Sequence, residues 1–151
     1  MKDIATYLVF LAAVALATGC ASSGPKYSVF SKTLPPISPE QGRIIVYRPY
    51  EFVVAGLLPA VELNGKTIGD SRFGGFFYVD RPPGQYEMST HIFMQYSLSL
   101  RLEKGQTCFV RLEASTIPGF KRKAVPVLVD PAVGEKEIQD CVYSGSTPPK
   151  P

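Results

Sequence analysis

Apolar and polar residues alternate through much of this chain with the period of two that marks half-buried β-strands. Tyr96, Leu98, Leu100 and Leu102 alternate with Ser97, Ser99 and Arg101. Cys108, Val110 and Leu112 alternate with Thr107, Phe109 and Arg111. Arg43 to Arg48 reads as a strand stopped by Pro49, and Gly75 to Asp80 as an aromatic strand. Ala60 to Leu63 and Lys66 to Ile68 flank Asn64-Gly65, whose tolerance of positive φ predicts a two-residue hairpin. Arg81-Pro82-Pro83-Gly84 suits a type II turn with Gly84 at the positive-φ place, and Tyr86 to Phe93 continues as a strand. Glu103 to Gln106 turns the chain. Val125 to Val129 is a short strand whose Pro126 predicts an edge position. Glu135 to Asp140 predicts one helical turn before Cys141-Val142-Tyr143.

Some seven to nine short strands result, with turns every 8–12 residues or so. The expected fold is all-β: a small antiparallel β-sandwich, or a flattened barrel, with at most one short helix. Strands and helices do not alternate, which argues against a doubly wound sheet.

The first residues follow another pattern. An apolar run from Ile4 to Ala17, broken only by Thr6, is too short to span a bilayer comfortably and matches the apolar core of a secretory signal. Leu16-Ala17-Thr18-Gly19-Cys20 resembles the lipobox of bacterial lipoproteins, with Leu one step earlier than is usual there. That resemblance implies removal of residues 1–19 and acylation of Cys20. Ordinary secretory cleavage after Ala13-Val14-Ala15 or Ala15-Leu16-Ala17, or an uncleaved anchor, are the competing readings. Cysteine parity favours the lipobox. The chain has three cysteines, Cys20, Cys108 and Cys141, and acylation of the first leaves two that can pair in an oxidising compartment. A disulfide between Cys108 and Cys141 would close a loop of about 34 residues, worth roughly 3–4 kcal/mol in the chain-entropy model. Two buried thiols are the alternative.

Composition divides the remainder. Gly and Pro, at 13 and 14 of 151 residues, signal a turn-rich chain. Residues 20–40 are rich in Ser, Pro and Lys and read as a lipidated cysteine followed by a flexible leash. Such a leash spans roughly 25 Å as a coil and about 60 Å if polyproline-like. Val29-Phe30 is its apolar spot, with docking on the domain left open. Residues 41–143 form the expected domain, and 144–151 an expected disordered Pro-rich tail.

Val61-Glu62-Leu63-Asn64-Gly65-Lys66-Thr67-Ile68-Gly69, followed by Val79-Asp80-Arg81-Pro82-Pro83-Gly84-Gln85-Tyr86, resembles PEGA-type modules, in which an Asn-Gly hairpin precedes a Pro-Gly-x-Tyr strand start. With Gly42-Arg43-Ile44 and Tyr47-Arg48-Pro49 in front, residues 41–143 resemble a bacterial lipoprotein domain of unknown function. The resemblance implies a PEGA-like or immunoglobulin-like sandwich and brings no catalytic residues.

Candidate chemistry is sparse. The net charge of +3 is too small to argue for nucleic acid. One histidine and two dispersed cysteines do not make a tetrahedral metal set, and no cofactor is expected. His91 lacks a recognisable nucleophile, and Glu62, Asp70 and Asp80 are explained as solvated strand and turn positions. Possible contacts with a partner or membrane are Phe52, Val53, Leu57 and Leu58 in an apolar loop, and the basic run Lys121, Arg122 and Lys123. The expected function is a non-catalytic sandwich of the bacterial envelope, anchored through Cys20 to the inner leaflet of the outer membrane, since Ala21 follows the cysteine where Asp favours inner-membrane retention in enteric-type bacteria. It would face the periplasm and bind or scaffold another envelope component, a protein or a glycan; a peptidoglycan- or lipopolysaccharide-binding module is the alternative, and a hydrolase the remote third.

Overall fold

The computed structural model describes residues 24–50, 59–91, 94–115 and 123–145. Among these residues nine strands form two sheets: β1 (Gly42–Tyr47), β2 (Ala60–Leu63), β3 (Lys66–Asp70), β4 (Gly75–Arg81), β5 (Gly84–His91), β6 (Gln95–Leu102), β7 (Thr107–Ser115), β8 (Lys123–Val129) and β9 (Val142–Tyr143). One sheet has the order β8-β7-β1-β4-β9 and the other β3-β2-β5-β6. The architecture is sandwich-like and not a closed barrel.

Alternation explains the core between the sheets. Ile44 and Val46 of β1, Phe77 and Val79 of β4 and Cys108, Val110 and Leu112 of β7 point inward from one sheet. Val61, Leu63, Met88, Leu100 and Leu102 meet them from the other. The remaining residues of β1 are buried as well. Ile45 and Tyr47 join Phe76, Phe109, Ile138, Cys141 and Tyr27 in a second cluster on the outer face of the five-stranded sheet. A strand buried on both faces reads as a continuous apolar run, and Ile44-Ile45-Val46-Tyr47 is one.

Two short segments cover that outer face. At the carboxyl side lie α2 (Pro131–Glu137) and a 3₁₀ turn, Ile138–Asp140. Asp130 caps α2 by accepting from the Ala132 amide at 2.9 Å, with Pro131 in the first turn. At the amino side lie α1 (Tyr27–Phe30) and a 3₁₀ turn, Ser31–Thr33. Two helices thus replace the single turn expected at most. The expected leash is also corrected: from Gly24 onward its first residues belong to the body. Tyr27 is 4% exposed, its amide donates to the Cys141 carbonyl at 2.8 Å, and Phe30 stacks on Tyr143 with ring centroids 4.5 Å apart. At the other end the Ser144 amide donates to the Phe76 carbonyl, so the body includes the first residue of the expected tail; residues 146–151 lie outside the described residues.

The purely antiparallel expectation is corrected too. β1 pairs with β7, and β4 with β9, in parallel. The chain changes sheets at β1–β2, β3–β4, β4–β5 and β6–β7, so β7 arrives from the opposite sheet and is free to run alongside β1 in either direction, while α2 carries the chain from β8 to β9 at the far edge of the same sheet. The same crossing overturns the type II turn. Gly84 is not among the positive-φ residues, and Pro82-Pro83 instead carries the chain from β4 in one sheet to β5 in the other. The Tyr86 hydroxyl pins this arch by donating to the Pro82 carbonyl at 2.7 Å, a device akin to the tyrosine corner of Greek-key sandwiches. The Asn64-Gly65 hairpin forms as read, with φ of 50° and 73°. β8, with Pro126, is an edge strand.

The expected disulfide is absent: Cys108 and Cys141 are both free thiols. Cys108 sits opposite Ile44 and points between the sheets, whereas Cys141 belongs to the outer cluster. The five-stranded sheet separates them. Burial raises the Cys108 thiol, and burial, helped by Asp140 and Glu137, pushes Cys141 up to about 12. Both thiols stay protonated at neutral pH and are poor nucleophiles. The native protein is therefore expected to resist iodoacetamide at both positions and to show the same melting temperature with and without dithiothreitol. A reductant-induced drop would reinstate the bridge.

Candidate functional site

The two open sides of the sandwich differ. On one, the Thr90 hydroxyl donates to the Ala124 carbonyl, drawing β8 against β5. On the other, where β3 and β9 are the edge strands, a cavity of about 130 Å³ remains. β3 contributes Ile68, Gly69 and Asp70, and Arg72 follows in the connection to β4. β4 contributes Phe77, Tyr78 and Val79, and the chain end adds Tyr143, Ser144 and Gly145. Gly69 permits close approach of the sheets, because a Cβ there would lie 2.9 Å from the Phe77 ring.

The lining combines aromatic rings with a carboxylate, a guanidinium and a hydroxyl. Tyr78 and Tyr143 are tilted by 42° with centroids 6.4 Å apart. Phe30 occupies one face of Tyr143. Burial, and to a lesser degree Tyr78, raises the Tyr143 phenol, so it remains a hydrogen-bond donor. An apolar pocket with a few convergent polar groups is the usual anatomy of a small-ligand site.

Two other charged groups are structural. Arg43, 3% exposed, holds Asp80 through two bonds of 2.7 Å and lies 4.6 Å from the centre of the Tyr78 ring. Arg111 holds Glu137 at 2.7 Å and Glu113 at 2.6 Å, and the Tyr47 hydroxyl donates to Glu137 at 2.6 Å. Burial opposes ionisation of Glu137, but the bonds from Tyr47 and Arg111 outweigh it, leaving its carboxyl below the ordinary value. A lowered folded-state value means that the unfolded chain binds the proton first as pH falls. The stabilisation is present above the unfolded carboxylate value and disappears as pH drops through the lower folded one. Thermal melts of Glu137→Gln are accordingly expected to vary less between pH 6 and pH 3 than those of the native chain; parallel curves would contradict this.

The residues singled out from sequence are dispersed. His91 is exposed at the end of β5. Glu62 accepts from the Ser89 hydroxyl, Asp80 is held by Arg43, and only Asp70 of the three acids lines the cavity. Lys123 opens β8, with its ammonium 6.0 Å from the centre of the Tyr96 ring. Cys20, Phe52, Val53, Leu57, Leu58, Lys121 and Arg122 lie outside the described residues. Among the described residues there is no cluster of three or more His, Cys, Asp or Glu that could hold a metal, and no helix long and apolar enough to cross a membrane. Arg72, Tyr143 and Ser144 were not legible as site residues. The aromatic group Phe73, Phe76, Phe77 and Tyr78 was the available signal, but nothing in the sequence pairs it with the chain end.

Fold and cavity together define a two-sheet, sandwich-like β-protein with a small aromatic-lined cleft along one flank. The chain belongs to the family described as "Protein of unknown function (DUF2846)", whose model matches residues 38–125. The match runs from before β1 into β8 and covers the cavity residues of β3 and β4, but not Tyr143 to Gly145. No curated protein and no solved structure gives a significant match.

Proposed function

We propose that this protein is a lipid-anchored lipoprotein of the bacterial envelope whose sandwich binds or scaffolds another envelope component without catalysing a reaction. Its signal peptide ends at Gly19, Cys20 carries the acyl chains, and the body faces the periplasm from the inner leaflet of the outer membrane. The observation that carries the reading is the docking of the segment directly after the lipobox: Tyr27 is buried 7 positions beyond Cys20, so an anchor there is mechanically joined to the body. Several acyl chains hold a protein essentially permanently, at about 0.8 kcal/mol per buried CH₂. The PEGA-like layout belongs to the same proposal, supported by the Asn64-Gly65 hairpin and the arch pinned by Tyr86. Engagement of Glu62 and Asp80 by Ser89 and Arg43 favours binding over acid–base chemistry.

The test is crosslinking in cells followed by mass spectrometry. A diacylglyceryl-modified Cys20 peptide and a reproducible crosslink to an envelope protein are expected. An unmodified Cys20 and release of the protein by salt washing would overturn the anchor; a modified Cys20 without crosslinked neighbours would overturn the scaffold.

The cavity favours a second reading, a glycan-binding module. Tyr78 and Tyr143 offer rings to the apolar face of a sugar, and Asp70, Arg72 and Ser144 offer hydrogen bonds. Calorimetric titration with muropeptides and lipopolysaccharide fragments decides it. Saturable binding lost in Arg72→Ala supports the reading, and a flat isotherm removes it.

A further inference from the structure

Two opposite charges line the flank cavity without answering each other. Asp70 ends β3, Arg72 follows two positions later, and both line the cavity. The backbone that presents them is fixed. The Arg72 amide donates to the Asp70 carbonyl and the Gly75 amide to the Arg72 carbonyl, each at 3.0 Å. Ser71, between them, is buried; its amide donates to the Pro59 carbonyl at 3.0 Å, and its carbonyl accepts from Arg48 at 3.2 Å. Ser71 is thus held in the body while its two neighbours reach the cavity. Elsewhere the charges satisfy one another: Arg43 with Asp80, Arg111 with Glu113 and Glu137, Lys26 with Asp140. Among the described residues, no hydrogen bond or ion pair engages the Asp70 carboxylate or the Arg72 guanidinium.

The lining is graded from apolar depth to charged rim. Phe77 and Val79 are buried, and Ile68 packs against the same core. Arg72 is half-buried and Asp70 exposed. Size limits what enters. Drug-sized ligands take pockets of about 300–1,000 Å³, and an apolar cavity of about 150 Å³ takes one benzene. At about 130 Å³ this cavity has room for one aliphatic side chain or one small ring. Charge limits it further. A simple anion drawn to Arg72 would be repelled by Asp70, and a simple cation the reverse. A molecule that carries a carboxylate and an ammonium on one carbon complements both. Its carboxylate accepts two parallel hydrogen bonds from a guanidinium, and its ammonium donates to a carboxylate.

We propose that the flank cavity binds a free α-amino acid with an aliphatic side chain. The side chain lies against Ile68, Phe77 and Val79, the ligand carboxylate meets Arg72, and its ammonium meets Asp70. Like the glycan reading above, this rests on the cavity being a ligand site, but it requires no glycan.

Calorimetric titration of the full-length protein with leucine, leucine methyl ester and N-acetyl-leucine tests it. The ester lacks the negative charge and the acetyl form the positive one. Leucine is expected to saturate, and either cap to weaken binding about tenfold or more, the scale of a lost hydrogen bond between charged groups. Each variant is matched to one cap. Arg72→Gln is expected to bind leucine and its ester alike, and Asp70→Asn to bind leucine and N-acetyl-leucine alike. A merely structural role for either residue would weaken all three ligands together. Neither side chain is buried, so both variants are expected to fold, which thermal melts check; should one fail, the three ligands on the native protein still decide. Equal affinity for leucine and both capped forms overturns the proposal. A flat leucine isotherm, with saturable binding of muropeptides or lipopolysaccharide fragments, also overturns it and leaves the glycan reading standing. Saturable leucine binding weakened by both caps, with flat glycan isotherms, supports it and removes the glycan reading. Flat isotherms throughout overturn both.

Discussion

A chain that begins at Leu34 is expected to be less stable than the chain that begins at Cys20 by about 3–5 kcal/mol, the scale of a large aromatic deletion from a core. Tyr27 is removed from a site where it is 4% exposed, and its ring meets Phe76 edge-on at 5.2 Å. Phe30 is removed from its stack on Tyr143 and its edge contact with Phe76. Burying each large apolar side chain contributes roughly 1.5–3 kcal/mol, and each aromatic pair about 0.5–1.5 kcal/mol more. Ordering the segment opposes these gains, by about 1–2 kcal/mol per residue for the backbone, which keeps the net well below their sum. The hydrogen bonds from the Tyr27 amide to Cys141 and from the Tyr143 amide to Pro25 are lost as well. Against a total stability of about 5–15 kcal/mol the loss is large. Urea unfolding measures it. The newly bared patch around Phe76 is further expected to promote self-association, visible in sedimentation. Val29→Ala is the control, because Val29 is 59% exposed and its loss should change little. Equal urea midpoints for the two chains would mean that the docked segment contributes nothing.

The second large effect is expected at Asp80. Asp80→Ala removes both hydrogen-bond acceptors from a guanidinium that is 3% exposed, leaving Arg43 charged beneath Tyr78. Breaking a buried pair in this one-sided way costs about 3–5 kcal/mol, and the 23% exposure of the Asp80 side chain places the value near the lower figure. Replacing both partners removes the stranded charge. The double variant Arg43→Met, Asp80→Leu is therefore expected to recover much of the loss, giving a strong coupling in a double-mutant cycle. A cost below about 1 kcal/mol for Asp80→Ala would show that water reaches the guanidinium and that the pair behaves as a surface ion pair.

These two sites mark the boundary of what the primary structure discloses. Local chemistry was legible. Asn64-Gly65 can hardly do anything but turn, the alternations in β6 and β7 declare their buried faces, and Pro126 confines β8 to an edge. Pairings between distant segments were not. Tyr27 sits in a Ser/Pro-rich stretch with the composition of a leash, and its hydrogen-bond partners lie more than a hundred residues away, at Glu135 and Cys141. Counting cysteines suggested a bridge, but a count does not tell which face of a sheet each thiol occupies. Pro83-Gly84 carries a turn signature, yet the same residues serve an arch when the flanking strands belong to different sheets. The cavity was illegible for the same reason, since Arg72 and Tyr143 meet only after β4 and β9 pair.

The closure of the first described residues on the last has a consequence for assembly. A polypeptide always emerges amino terminus first, whether from a ribosome or from a translocation pore. Tyr27 is therefore among the earliest residues to appear, while Cys141 and Val142, which complete its surroundings, are among the latest. Long-range pairings of this kind slow folding, because loop entropy must be overcome before they repay it. The outer face of β1 has to remain uncovered until nearly the whole chain has been delivered, so a nascent chain stalled before residue 141 is expected to be a target for chaperones and proteases rather than a partly working protein.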